Sequence, residues 1–164
     1  MNSKILTLGQ ISDQSVGGKA KGLAELTRLG LPVPPAFVIP AAKINQHPDD
    51  LESHYHNIGG GLVAVRSSAI GEDGDESSFA GQYETLLNVS GIDNLKQAIN
   101  QCIASLSSEH ANAYKSEQAD IDDVDMCVVV QRMVDPRAAG VLFTADPVTG
   151  RHDRLIIDAV AGLG

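Results

Sequence analysis

The chain has 164 residues, with 12 Lys and Arg against 21 Asp and Glu, a formal net charge of −9. That acidity argues against a general nucleic-acid or membrane-binding surface, although a nucleotide site needs only local cations. Hydrophobic residues make up 43% of the chain and aromatic ones 4%, with no Trp, so the core must be built from Val, Ile, Leu and Ala. The length suits one domain with a sizeable core, or two small lobes. Cys102 and Cys127 show neither CxxC spacing nor a His partner and read as buried free thiols of a reducing compartment. The N-terminus has no apolar signal segment and no run reaches membrane-spanning length, which points to a soluble cytoplasmic protein.

A short apolar alternation, Ile5 to Leu8, opens the chain. From Lys19 to Leu29 the apolar positions Ala20, Leu23, Ala24, Leu26 and Leu29 predict an amphipathic helix, and Gly30 is placed to end it. Val16-Gly17-Gly18-Lys19 then lies at a helix N-terminus, where free N–H groups and the helix dipole favour an anion. A lysine there is unfavourable for the helix itself, which hints at a ligand; a glycine turn with a solvated lysine is the alternative. Leu31 to Pro35 is an extended connector. Ala36 to Ile39 predicts a buried strand, and Ala41 to Asn57 a weak helix bent near Pro48. The histidines of that helix, His47, His54 and His56, read as solvent-exposed. Gly59-Gly60-Gly61 is a hinge-like linker.

The stretch Val63 to Asn88 organises the rest. Leu62 to Val65 predicts a buried strand, and Arg66, Ser67 and Ser68 follow directly. A loop with Gly71, Gly74 and Gly81, four acids and the pair Ser77-Ser78 then closes on Phe79-Ala80-Gly81-Gln82. A strand from Tyr83 to Val89 comes next. A guanidinium beside small hydroxyl residues and glycines is chemistry suited to a polyphosphate, because it offers paired bonds to phosphate oxygens and glycine lets backbone N–H groups approach an anion. A long solvated hairpin loop is the alternative. Asp93 predicts the N-cap of a helix from Asn94 to about Leu106, and Ser107 or Ser108 that of a second, shorter one through Tyr114. Asp120 to Asp125 reads as a solvated linker. Met126 to Val134, Ala138 to Thr144 and Leu155 to Val160 predict three strands of one antiparallel sheet, with Asp146 to Gly150 as a turn.

Several of these motifs occur together. Val16-Gly17-Gly18-Lys19, Leu29 to Pro35, Val65 to Ala69 with Gly71-Glu72-Asp73, Ser78 to Gln82 with Glu84-Thr85, Val130 to Val134, and Ala139 to Thr144 with Asp146, Pro147, Thr149 and Gly150 follow in that order. In that order they resemble the N-terminal ATP-binding domain of the phosphoenolpyruvate synthase and pyruvate phosphate dikinase family, a domain that rifampicin phosphotransferases share. The resemblance implies an α+β, ATP-grasp-like fold: a small N-terminal α/β lobe plus an antiparallel sheet with flanking helices, present here as a partial domain. Residues 1–61 would be the N-terminal segment, and residues 62–164 the core portion with a phosphate lid at 66–82.

The resemblance further implies roles for matching positions. Lys19 and Arg66 are catalytic candidates on the phosphates. Ser67, Ser68, Gly71, Ser78, Phe79, Ala80, Gly81 and Gln82 belong to the lid over the triphosphate. Gln131 and Met133 flank the adenine. ATP and Mg2+ are the expected cofactors. Asp158, an acid on a strand near a glycine turn, is a candidate metal ligand, with a solvated or capping role as the alternative. The expected partners are phosphohistidine and pyruvate-binding domains elsewhere in the full-length protein, with no nucleic acid and no membrane. The chain departs from the family pattern at Ile70, Gly74-Asp75 and Ala36, is short between Pro40 and Val63, and stops at Gly162-Leu163-Gly164, so a complete reaction is not expected from it alone. A rifampicin phosphotransferase and a nucleotide-binding module without turnover are the competing readings.

Overall fold

The computed structural model describes residues 5–12, 16–40, 48–69, 85–113 and 126–163. It forms two compact units, Met1–Met133 and Val134–Gly164, each described here by itself. The first unit holds β1 (Leu6–Thr7), a 3-10 turn (Leu8–Gln10), α1 (Gly18–Arg28), β2 (Ala36–Pro40), α2 (Leu51–Asn57), β3 (Val63–Ala69), β4 (Thr85–Val89), α3 (Ile92–Ala113) and β5 (Met126–Arg132). The second holds β6 (Ala138–Phe143) and β7 (Ile156–Ala161). The class is α+β, with every strand pair antiparallel.

β5 is the centre of the first unit. The five-stranded sheet runs β1-β2-β5-β3-β4, so β5 bonds to β2 on one side and β3 on the other. Its residues Cys127, Val128, Val129 and Val130 are 0–1% exposed. A strand covered on both faces must be apolar at consecutive positions, which explains the CVVV run. This corrects the prediction that Met126 to Val134 shares a sheet with the two strands after it. β6 and β7 form a separate two-stranded sheet. Turn signals between neighbours suggested hairpins, but a strand that apolar is satisfied only between two partners. Segments before and after residue 61 therefore contribute to one sheet.

Alternation along β3 and β5 sorts the core into two clusters. Val63, Val65, Val128, Val130, Phe37 and Ile39 face α2 and α3, packing on Leu51, Tyr55, Leu95 and Ile99. Val129, Cys127, Val38 and Ala36 face the other way, onto Ala20 and Ala24 of α1. Each fully buried Val, Leu or Ile contributes roughly 1.5–3 kcal/mol. The two cysteines are buried and not joined in a disulfide, one in each cluster.

α1 is narrower in its contacts than its sequence stripe predicts. Ala20 and Ala24 are buried and Leu23 is partly so, while Leu26 is 42% and Leu29 69% exposed. Alanines let the helix lie close on the sheet. Gly30 ends it as predicted, at φ 74°, with Gly30 N–H bonded to Thr27 O and Leu31 N–H to Leu26 O. α3 runs unbroken to Ala113, so the expected second helix starting at Ser107 or Ser108 is part of the same helix. The i, i+4 ladder needs no new cap where the apolar spacing continues. His54 is less exposed than expected: its ring lies 5.6 Å from that of Phe37, and Nε2 is 3.4 Å from Asp50. His47 lies outside the described residues.

Candidate functional site

The first turn of α1 sits against the C-terminal half of β3. Gly17 is the N-cap of α1, and the helix carries no acidic residue in its first turn. Gly17 is buried and touches Ser68 so closely that a Cβ there would fall 2.4 Å from Ser68 Oγ. Lys19, in that first turn, is half-buried.

The sequence places Ser67 and Ser68 in a lid loop at 66–82. Instead Ser67 and Ser68 are strand residues, paired with Val128 and Cys127, because β5 is long enough to extend the ladder past Arg66. Pairing also separates the two serines. Ser68 and Arg66 stand level with Cys127 and Val129, which belong to the α1-facing cluster. Ser67 stands level with Val128, on the α2 and α3 side. Both hydroxyls are 0% exposed, and neither has a hydrogen-bond partner among the described residues; Arg66 Nε is likewise buried without one there. A buried donor left without an acceptor costs about 1–3 kcal/mol, more when charged. Ser68 Oγ lies against Gly17 at the start of α1 and Arg66 is on the same face of β3, donors of the kind that suit an anion.

Thr85 of β4 is directly opposite Arg66 and is exposed. In the sequence Thr85 stands in the Glu84-Thr85 motif with no role that its local pattern assigns. Only strand register makes it a neighbour of Arg66, nineteen positions away in the chain.

Gln131 shares the α1-facing side, level with Ala64 and Ala36, four residues along β5 from Cys127. At about 3.3 Å per residue that is roughly 13 Å from the Ser68 row. Its Nε2 donates to Pro34 O at 3.1 Å, which leaves Oε1 as an acceptor. Met133 follows β5 and its N–H donates to Leu62 O at 2.9 Å. Gly71, Ser78, Phe79, Ala80, Gly81 and Gln82 lie outside the described residues, as do Ile70 and Gly74-Asp75.

In the second unit Asp158 is exposed in β7 opposite Val141. No group of three or more His, Cys, Asp or Glu side chains able to hold a metal occurs among the described residues. Asp146 accepts N–H bonds from Val148 at 2.9 Å and Thr149 at 3.2 Å. The Thr149 hydroxyl first, then these two N–H groups, hold its carboxyl below the usual carboxylate range. No described helix is long and apolar enough to cross a membrane.

An anion-accepting helix start against a strand bearing Arg and Ser defines the first unit as a candidate oxyanion site on an α+β scaffold. The sequence profile of the pyruvate phosphate dikinase AMP/ATP-binding domain matches residues 43–164, and the chain belongs to that family. Relatives include the prodigiosin synthesizing transferase of Serratia marcescens, 40% identical over 181 residues, covering 91% of this chain and 20% of the relative. The phosphoenolpyruvate synthase of Aeropyrum pernix is 34% identical over 216 residues, covering 98% of this chain and 26% of its own length. A rifampicin phosphotransferase of a Streptomyces species is 53% identical over 102 residues, covering 62% of this chain and 12% of the relative. The chain thus spans about a quarter or less of the length of these three relatives. The Aeropyrum alignment is longer than this chain's 164 residues, so that relative carries stretches that this chain lacks. The profile match begins after α1, whereas the Aeropyrum alignment, at 98% of the chain, includes Gly17 and Lys19.

Proposed function

We propose that this chain is the ATP-binding portion of a phosphotransferase similar to phosphoenolpyruvate synthase, in which a phosphoryl group of ATP passes to a histidine on a separate domain and then to pyruvate. The observation that carries the reading is the pair Arg66 Nε and Ser68 Oγ, buried without a partner among the described residues, on one face of β3 with Ser68 against the N-cap of α1, in a chain of an AMP/ATP-binding family. Phosphoryl transfer is mostly positioning and charge stabilisation, and these groups supply donors and charge without a nucleophile of their own. Arg66 acts on the phosphates being transferred, Lys19 adds charge from α1, and Thr85 adds a hydroxyl beside Arg66. Residues 1–61 bring the glycine-lysine helix start; residues 62–164 bring Arg66 and the lid, with Gly71 and Ser78 to Gln82 over the triphosphate in an ATP-grasp arrangement. Gln131 Oε1 accepts from the exocyclic amine of adenine, beside Met133.

Mg2+ enters with the nucleotide. It commonly binds through one or two carboxylates, substrate phosphates and waters rather than a protein cage, so a single exposed Asp158 is a donor of fitting kind. Two buried cysteines with no disulfide between them support a cytoplasmic setting.

Calorimetric titration of this chain with Mg-ATP tests the reading, with saturable binding expected and its absence overturning it for this chain. In the full-length enzyme, Arg66→Ala abolishes phosphoryl transfer while nucleotide affinity falls far less, as expected of a group acting on the transition state. Near-normal turnover would sink the assignment of Arg66. A second reading has its own support: identity to the rifampicin phosphotransferase is 53% over its 102 residues, against 34% for the phosphoenolpyruvate synthase over 216. There the acceptor is the antibiotic. Assaying the full-length protein with pyruvate and with rifampicin separates the two.

A further inference from the structure

We infer that Gly17 is a positioning residue for the phosphate site: its missing side chain sets how closely the N-terminus of α1 approaches Ser68, on the face of β3 that Arg66 shares. The inference rests on the nucleotide reading above and deepens it. Gly17 has φ −58° and ψ 166°, backbone angles that L residues adopt freely, so conformation does not demand a glycine. An N-cap usually favours Ser, Thr, Asp or Asn, whose side chains accept a first-turn N–H; Gly17 provides no such acceptor and the helix has no side-chain cap bond. Space is what demands it. A Cβ at residue 17 would lie 2.4 Å from Ser68 Oγ and 2.5 Å from both Ser68 C and Ser68 O. Two of those atoms are backbone in a paired strand and cannot swing aside.

Any side chain would therefore lift the first turn of α1 off β3. The neighbours on that interface are built for the same closeness, since Ala20 and Ala24 are the buried residues of α1. The donors that would be pushed from a common anion are Ser68 Oγ and Arg66 Nε, both buried and without a hydrogen-bond partner among the described residues. Gly22, in the same helix, is a contrast, because a Cβ there would meet nothing within 4 Å.

The test uses four forms of this chain: wild type, Gly17→Ala, Gly22→Ala and the double variant, each followed by thermal melting and by calorimetric titration with Mg-ATP. Gly22→Ala raises the melting temperature through helix propensity and leaves affinity unchanged. The double variant recovers stability lost in Gly17→Ala yet still binds Mg-ATP at least tenfold more weakly than wild type. Ala20→Gly, which loosens α1 without pushing it away, destabilises the chain but binds within about twofold of wild type below its melting temperature.

A double variant that binds like wild type overturns the inference. So does an Ala20→Gly variant that loses as much affinity as Gly17→Ala, and so does a double variant that does not melt cooperatively, since the contact is then merely structural. Wild type without saturable binding removes the nucleotide reading and this inference with it, which distinguishes the two failures.

Discussion

Ser67 and Ser68 are neighbours in the chain and lie on opposite faces of β3, one toward α2 and α3, the other against Gly17. Two buried hydroxyls without partners then carry different meanings. Ser67 stands in the row of Val128 and Ile39, within the apolar cluster, where its hydroxyl is a desolvation cost. Ser67→Ala should stabilise the fold by about 1 kcal/mol in urea unfolding and leave Mg-ATP affinity unchanged. Ser68 stands with Arg66 on the face of α1. Ser68→Ala should weaken Mg-ATP binding roughly tenfold, the worth of one hydrogen bond to a charged group. Equal effects of the two substitutions on binding would sink the division between faces.

At the scale of elements, the loop between β6 and β7 is held by Asp146. Its carboxyl is held below the ordinary value of 3.8 by the Thr149 hydroxyl and the N–H groups of Val148 and Thr149. Because the folded value is depressed, the unfolded chain takes up the proton first on acidification. The stabilisation is therefore complete above the unfolded value and is lost as pH falls through the folded one. NMR titration should show the Val148 and Thr149 amide resonances shifting in step with the Asp146 carboxyl below pH 3.8. Asp146→Asn keeps an acceptor oxygen and should abolish that pH dependence while preserving the turn; a shift that persists in the variant would refute the assignment to Asp146. Elsewhere in the element set, Tyr55 ties three pieces together. Its hydroxyl donates to Gly61 O at 2.8 Å and accepts from Gly91 N–H at 3.0 Å, joining α2 to the approach to β3 and to the turn before α3.

At the scale of the molecule, the two units differ in what they bury. Both apolar clusters lie within Met1–Met133. In the second unit Val141 and Leu142 of β6 and Ile157 and Val160 of β7 are 50–67% exposed. Register puts Val141 and Val160 on one face of that hairpin and Leu142 and Ile157 on the other, so both faces are apolar. A two-stranded sheet is marginal in water by itself. A truncated chain ending at Met133 should therefore still unfold cooperatively, with a melting temperature within a few degrees of the whole chain. The segment Val134–Gly164 alone should show no cooperative melt by circular dichroism. Loss of cooperativity in the shorter chain would mean that the second unit supports the first.

Much of this was legible along the chain. The apolar run at 127–130, the Gly30 helix end, the Pro-rich connector and the Arg66-Ser67-Ser68 block each follow from local chemistry: burial needs apolar side chains, φ > 0 favours glycine, and proline excludes helix. The family match, at residues 43–164, takes in the apolar run and the Arg66-Ser67-Ser68 block but not Gly30 or the Pro-rich connector. What the sequence could not contain was pairing. That β5 sits between β2 and β3, that Leu26 of α1 and its C-cap Leu29 face solvent, and that Thr85 stands opposite Arg66 depend on which elements meet, and strand register is set by non-local contacts. The site follows the same division. Residue types announced anion chemistry at Gly17 to Lys19 and at Arg66 to Ser68 separately. Packing of α1 on β3, through a glycine with no room for a side chain, brought Gly17 and Ser68 into contact and turned Ser67 away.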